Sequence, residues 1–224
     1  MFTEELTHRG HVIRLDPTCK QANAFARAAG CSRFTYNWAL AEWQKQYQEG
    51  GKPNASALKR QFNDIKREQF PWITESPRDA NSQPFADLGH AFDNFFKSCG
   101  GKRKGKKIGY PKPRRKGVDD SFYVANDKFS VRRRGKGKRG VVRLPVIGDV
   151  RMQEPLRWHG RILSGRVFRK AGKWYIAINV ETDARIPHVH EHAIVGVDLG
   201  LKPAVISSHG VFIDAPKPLR AALQ

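Results

Sequence analysis

Ala193-Ile194-Val195-Gly196-Val197-Asp198-Leu199-Gly200-Leu201 is a short apolar, β-branched run closed by glycine, the composition of a buried central strand. The run after Pro203, Ala204 to Ile213, reads as its hairpin partner, turning at Ser208-His209-Gly210. Alternation along the strand puts Ile194, Gly196 and Asp198 on one face and Val195, Val197 and Leu199 on the other. Asp198 is therefore a lone carboxylate on an apolar strand, beside a glycine that leaves room next to it. Two readings stay open: a strand-end Asp that caps the Leu199-Gly200 turn, or a metal-binding carboxylate of a nuclease.

The 224 residues suffice for one sizeable domain or two small ones. Forty-one Lys and Arg face 21 Asp and Glu, a formal charge of +20 that calls for a polyanionic partner, nucleic acid first. No apolar run approaches the roughly 20 residues that cross a bilayer, so a membrane is not expected as a partner. Cys19, Cys31 and Cys99 are widely spaced with no C-x-x-C pair, which fits buried or neutral thiols in a reducing cytosol and argues against a zinc site in this chain.

Upstream of the nine-residue run the chain changes character several times. Residues 1 to 8 read as a frayed terminus and Gly10 to Leu15 as a strand stopped by Asp16-Pro17. Ala22, Phe25, Ala26 and Ala29 then fall at helical spacing, with Gly30 as the stop, and a second helix opens at Ser32 and carries Phe34, Trp38 and Ala41 inward. Two helices meeting at a glycine allow a DNA-reading helix-turn-helix, but Trp38, Glu42 and Trp43 do not make a basic reading face. A third helix is expected over about 56 to 68 and a fourth from Gln83 to Ser98, with Pro84 in its first turn and Phe85, Leu88, Phe92 and Phe95 as its core stripe. The polar residues at its start, Arg78, Asn81, Ser82 and Gln83, suit phosphates and base edges, and ordinary capping explains them nearly as well.

Two acid-free basic runs follow. The first carries Lys102, Arg103, Lys104, Lys106, Lys107, Lys112, Arg114, Arg115 and Lys116, with the aromatic Tyr110 among them. The second includes Arg132, Arg133, Arg134, Lys136, Lys138 and Arg139. Flanking a short strand pair, they are expected to form a groove along a phosphate backbone. The remainder is β-rich, with strands expected over about 141 to 144, 150 to 152, 162 to 169 and 174 to 180 and a hairpin turn at Lys170-Ala171-Gly172-Lys173. With the earlier strands these suffice for a small barrel interrupted by the helices. His188, His190 and His192 sit in a Pro-containing linker and read as solvated.

Val195-Gly196-Val197-Asp198-Leu199-Gly200-Leu201-Lys202 resembles the first RuvC motif of the TnpB (OrfB) proteins of insertion sequences, relatives of type V CRISPR nucleases. Cys31 to Leu40, Phe92-Asp93-Asn94-Phe95-Phe96-Lys97, Gly109-Tyr110-Pro111-Lys112, Asp120-Ser121-Phe122, Val142 to Gly148 and Ile162 to Val167 resemble further TnpB blocks in the same order. The resemblance implies an α+β fold: a wedge-like β-barrel with an inserted helical recognition lobe, then the first strands of an RNase H-like RuvC domain. The corresponding divisions are 1–17 for the first barrel strand, 18–99 for the helical insert, 100–182 for the barrel with basic loops, 183–192 for the linker and 193–224 for the start of RuvC.

It further implies a transposon-associated, RNA-guided DNA endonuclease that binds a guide RNA and double-stranded target DNA beside a short flanking motif, in the prokaryotic cytoplasm at the nucleoid. Cleavage in that family uses three carboxylates and Mg²⁺. Asp198 matches the first as a catalytic metal ligand; the Glu, the final Asp and a four-cysteine zinc element correspond to positions beyond Gln224. The chain is accordingly expected to be a fragment, a natural truncation that binds without cutting, or one half of a split enzyme completed by a second chain. A general basic RNA-binding scaffold is the alternative from another class, and a DDE-type transposase is disfavoured.

Overall fold

Eleven residues of alternating burial, Leu6–Asp16, form β1, the strand on which the larger unit is built. The computed structural model describes residues 6–133, 139–183, 195–200 and 204–214. Residues 6 to 8 are already in β1 rather than frayed, because they pair with Asp183, Thr182 and Glu181. The chain divides into one unit of residues 1–184 and a second of residues 185–224.

In the first unit β1 is followed by three helices, α1 (Cys19–Gln48), α2 (Ala55–Gln69) and α3 (Arg78–Cys99), with a short 3₁₀ turn at Pro71–Glu75. Six strands follow: β2 (Ser121–Ala125), β3 (Ser130–Arg133), β4 (Gly140–Leu144), β5 (Gly148–Met152), β6 (Arg161–Lys170) and β7 (Lys173–Asp183). They join β1 in one antiparallel sheet of order β2-β6-β7-β1-β5-β4-β3. β1 serves both halves: its residues 6 to 14 pair with β7, and Leu15 and Asp16 pair with β5.

The expected barrel is not closed. The two outer strands, β2 and β3, are consecutive in sequence and joined by a 3₁₀ turn at Asn126–Lys128, so the sheet curls until its edges are close, but no ladder joins them among the described residues. The curl is held by packing instead. Phe129, just before β3, lies over Gly165 of β6, where a Cβ would come within 2.9 Å of its ring. Only glycine leaves space for that ring.

The expected break at Gly30 is also absent: α1 is one helix of 30 residues. A capping box starts it, with Thr18 Oγ1 accepting from the Gln21 amide at 3.3 Å and the Gln21 side chain accepting from the Thr18 amide at 3.1 Å. Glycine inside a helix costs only about 0.5–1 kcal/mol relative to alanine, and burial of Phe25, Ala28, Ala29, Cys31, Thr35 and Tyr36 on either side of it outweighs that. Ala26 and Ala41, expected inward, are exposed on the continuous helix. Phe25 drives α1 into the sheet, its ring centre 5.3 Å from Trp174 and 6.0 Å from Phe122. Trp38, Phe62 and Phe85 knit the three helices together, and Trp43 stacks on Phe92 at 4.2 Å. Cys31 is buried within this core, which pushes its thiol up to about 11, whereas Cys19 and Cys99 are exposed.

α3 starts five residues before Gln83, and Pro84 lies inside it rather than in its first turn. Pro84 and Phe85 are both buried, so packing holds the helix across a residue that cannot donate to the Ala80 carbonyl. The helix therefore begins at Arg78 and carries Asn81, Ser82 and Gln83 in its first two turns.

The second unit contains three short antiparallel strands, β8 (Val197–Leu199), β9 (Val205–Ser207) and β10 (Phe212–Ile213), in the order β10-β9-β8. The turn at 208–210 joins β9 to β10 as expected. β8, however, is an edge strand here and not a buried one: Val197, Asp198 and Leu199 are all exposed. Three strands of two or three residues have too little surface to cover either of their own faces.

Candidate nucleic-acid interface

Lys59, Asn63, Lys66 and Arg67 fall at i, i+4, i+7 and i+8 of α2 and so share one helical face. That face looks across a cleft of about 650 Å³ toward Arg78, Asn81 and Ser82 at the start of α3, with Ile73, Thr74 and Ser76 of the intervening segment along its floor. Asp64 is the one acidic residue lining it. The four cations are crowded: burial, then the charges of Arg67, Arg78 and Lys59, hold the Lys66 ammonium below its usual range. Lys66 Nζ donates to Asn63 Oδ1 at 2.5 Å, which aims it along the same face.

The start of α3 adds to this field. Its N-cap is Pro77, with no side chain capping the first turn, so amide donors and the positive end of a 22-residue helix meet the cationic cleft. Asn81 is 7% exposed and lines the cleft. Ser82 is half-buried beside it, Arg78 is exposed, and Gln83 turns away to donate to Asp87 at 3.2 Å. The structure thus brings together three of the four residues that the sequence singled out here. It adds Lys59, Lys66 and Arg67, from the helix expected over about 56 to 68. The i, i+7, i+8 spacing of those cations was the signal available for them.

The first basic run is an irregular loop pinned at a few points. Ile108 donates its amide to Ser98 Oγ at 2.9 Å, Tyr110 sets its ring edge-on to Phe92 and Phe95 at 5.4 Å, and Pro111 is buried. Lys102, Arg103, Lys104, Lys106, Lys107, Lys112, Arg115 and Lys116 all remain exposed on it. Arg114 does not. Its backbone amide donates to Asn37 Oδ1 at 2.8 Å and its carbonyl accepts from Asn37 Nδ2 at 3.0 Å. Its guanidinium lies over the Tyr36 ring at 4.1 Å and donates to Asp87 Oδ2 at 2.7 Å. With 18% of its side chain exposed, Arg114 is a fastener between loop and helices rather than a member of an open groove.

In the second run Arg132 is exposed and ion-paired with Asp149, beside a separate cleft that also holds Asp16 and Arg151. Arg133 closes β3 and Arg139 is exposed just before β4. Arg134, Lys136 and Lys138 lie outside the described residues, as do His188, His190 and His192.

The helix-turn-helix domain of the OrfB proteins of IS605 matches residues 5–52. A protein of Escherichia coli (strain K12) named "Putative RNA-guided DNA endonuclease InsQ" is 28% identical over 204 residues, covering 89% of this chain and 47% of its own length. One of Mycobacterium tuberculosis (strain CDC 1551 / Oshkosh), "Putative RNA-guided DNA endonuclease MT2953", is 27% identical over 242 residues, covering 94% of this chain and 51% of its own. The chain is similar to the OrfB helix-turn-helix domain over residues 5–52, and over most of its length to proteins named putative RNA-guided DNA endonucleases. It spans about half the length of the curated relatives it matches. Over the part of 5–52 that the structure describes, the chain has β1 and the unbroken α1, so the helix-turn-helix description is not matched by two helices meeting at a turn.

Asp198 stands apart from these basic surfaces in sequence, on exposed β8 in the second unit. Among the described residues no three His, Cys, Asp or Glu side chains converge as a metal-binding group. One solvated carboxylate does not hold two divalent ions, so these residues by themselves do not fit a two-metal centre. No helix among the described residues is long and apolar enough to cross a membrane.

Proposed function

We propose that this chain is the nucleic-acid-binding portion of a TnpB-type protein that carries a guide RNA to double-stranded DNA. Base pairing by the guide reads the target, and the protein reads shape and a short flanking motif. The observation that carries this reading is the cleft between α2 and α3, where Lys59, Lys66, Arg67 and Arg78 meet the uncapped start of a long helix. Burial, and after it the neighbouring Arg67, Arg78 and Lys59, lower the Lys66 ammonium below its usual range, so its charge is disfavoured until an anion arrives. A nucleic-acid phosphate backbone supplies the counter-charge, while Asn81 and Ser82 offer amide and hydroxyl groups to base edges.

The relatives' names attach DNA cleavage to the complete proteins, and endonuclease activity is proposed for this chain only as part of such a whole. Mg²⁺ would be its cofactor there, with Asp198 as one ligand; from the residues of this chain alone no cleavage step follows.

The test is a titration of labelled RNA and of duplex DNA at several salt concentrations, comparing the chain with its Lys59→Gln/Lys66→Gln/Arg67→Gln/Arg78→Gln variant. If each cation neutralises one phosphate, the slope of log K against log salt becomes shallower by about 3, at 0.7 to 0.9 for each phosphate released. An unchanged slope for both ligands refutes the cleft as the interface.

A further inference from the structure

The outward face of strands β2-β6-β7-β1 lies opposite the core, and the cross-strand register lays out its side chains in rows. One row runs from Ser121 through Phe168 and Tyr175 to Arg14; the next runs from Tyr123 through Arg166 and Ala177 to Val12. Phe168 and Tyr175 stack on one another, ring centres 5.6 Å apart and 19° from parallel, and both are partly exposed. Val12, at the end of the second row, is 54% exposed, so the face is open to solvent. Neither row contains an acidic residue, and Arg14 is exposed at the end of the first.

We infer that this face is a stacking platform for an unpaired segment of RNA, with Tyr123, Phe168 and Tyr175 receiving bases and Arg14 and Arg166 receiving phosphates. This rests on the nucleic-acid reading above and adds to it a second surface on the opposite side of the sheet from the core. A cross-strand aromatic pair stabilises the sheet in its own right, and one left open to solvent also presents π-faces on which any base can lie. Arginine between aromatic rings supplies the complementary charge and can itself stack. Rows two residues apart along a strand are separated by about 6.8 Å, twice the 3.4 Å rise per base of a stacked strand, so bases engaging successive rows must leave their own stack. That geometry favours single strands over duplex.

The third row points to RNA in particular. There Asn179 Nδ2 donates to Ser164 Oγ at 3.1 Å, and the amide oxygen of the exposed Asn179 lies beside Gly10 of β1 in the same row, an acceptor for a 2′-hydroxyl. Arg166 is also held from the side, its guanidinium 3.4 Å from Asp87, which keeps it near the sheet.

The test uses the full chain with a labelled oligouridylate and an abasic ribose-phosphate oligomer of the same length. Phe168→Leu and Tyr175→Leu keep apolar bulk but remove the π-face, and melting curves check that both variants fold. The expected result is oligouridylate binding weaker by about 5- to 150-fold, the equivalent of 1–3 kcal/mol for each stacked base, with an unaltered salt slope and no change on the abasic oligomer. Unchanged oligouridylate binding in both folded variants, or an equal loss on the abasic oligomer, overturns the platform while leaving the cleft intact. Equal affinity and equal loss on oligothymidylate overturn the assignment to RNA. A wild-type chain that binds no oligomer at any salt concentration overturns both this inference and the proposed function.

Discussion

Replacing Asp87 by alanine isolates the fastener that holds the basic loop to the helices. Asp87 is 15% exposed and takes hydrogen bonds from Arg114 at 2.7 Å, Gln83 at 3.2 Å and Arg166 at 3.4 Å. Burial pushes its carboxyl up, but the Arg114 hydrogen bond and the charges of Arg166 and Arg114 outweigh that and hold it below the usual carboxylate range. Removing it strands the Arg114 guanidinium, which has little access to water, whereas Arg166, 37% exposed, can rehydrate. Breaking a buried pair from one side costs about 3–5 kcal/mol, and the residual exposure of both groups places this case near 3. For a unit of residues 1–184 that corresponds to a fall in melting temperature of about 6–12 °C. Because the folded carboxyl is lowered, its contribution is fully present above the unfolded value of about 3.9 and is lost as pH falls through the folded value. Urea unfolding at pH 7 and at successively lower pH, for wild type and Asp87→Ala, measures both effects. A loss under about 1 kcal/mol, the value of a surface pair, or a difference independent of pH down to acid, refutes the fastener.

Gly30→Ala should stabilise the chain by about 0.5–1 kcal/mol, because the added Cβ meets nothing nearer than the Arg33 guanidinium at 3.7 Å; destabilisation in a urea melt would mean a turn there after all. Val146 has a φ of +66° and is 73% exposed in the turn between β4 and β5, so Val146→Asn should raise the urea midpoint by the equivalent of about 1 kcal/mol, and a lowered midpoint would contradict strain at that site. Asp198→Ala changes an exposed carboxylate in the second unit and should leave RNA affinity and melting temperature unaltered; weakened RNA binding in a gel-shift titration would contradict a role confined to metal binding.

Local chemistry made much of this fold legible before any coordinates. The strands at 121, 140, 148, 161 and 173 begin within two residues of where β-branched runs bounded by turn residues put them, because period-two burial leaves a direct mark on composition. What failed was what distance in the chain decides. Gly30 is a helix stop by propensity and a helix interior by packing, since Phe25 and Tyr36 are buried on either side of it by partners remote in sequence. Closure of the sheet depends on whether β2 and β3 meet edge to edge, and Phe129 over Gly165 fills that place without a ladder. In the candidate interface, Arg78, Asn81 and Ser82 were legible from their polarity at a helix start. Lys59, Lys66 and Arg67 join them only because α2 packs beside α3. Arg114 looked like any other cation in its run until Asp87, Tyr36 and Asn37 came to enclose it.

The central claim is that this chain carries a guide RNA on its basic surfaces, and sequencing the RNA that survives a high-salt wash of the chain purified with its native locus tests it most directly. The account predicts one discrete species ending in a variable segment, lost when Lys59, Lys66, Arg67 and Arg78 are neutralised together. A heterogeneous mixture, or RNA retained equally by the neutralised variant, would contradict it.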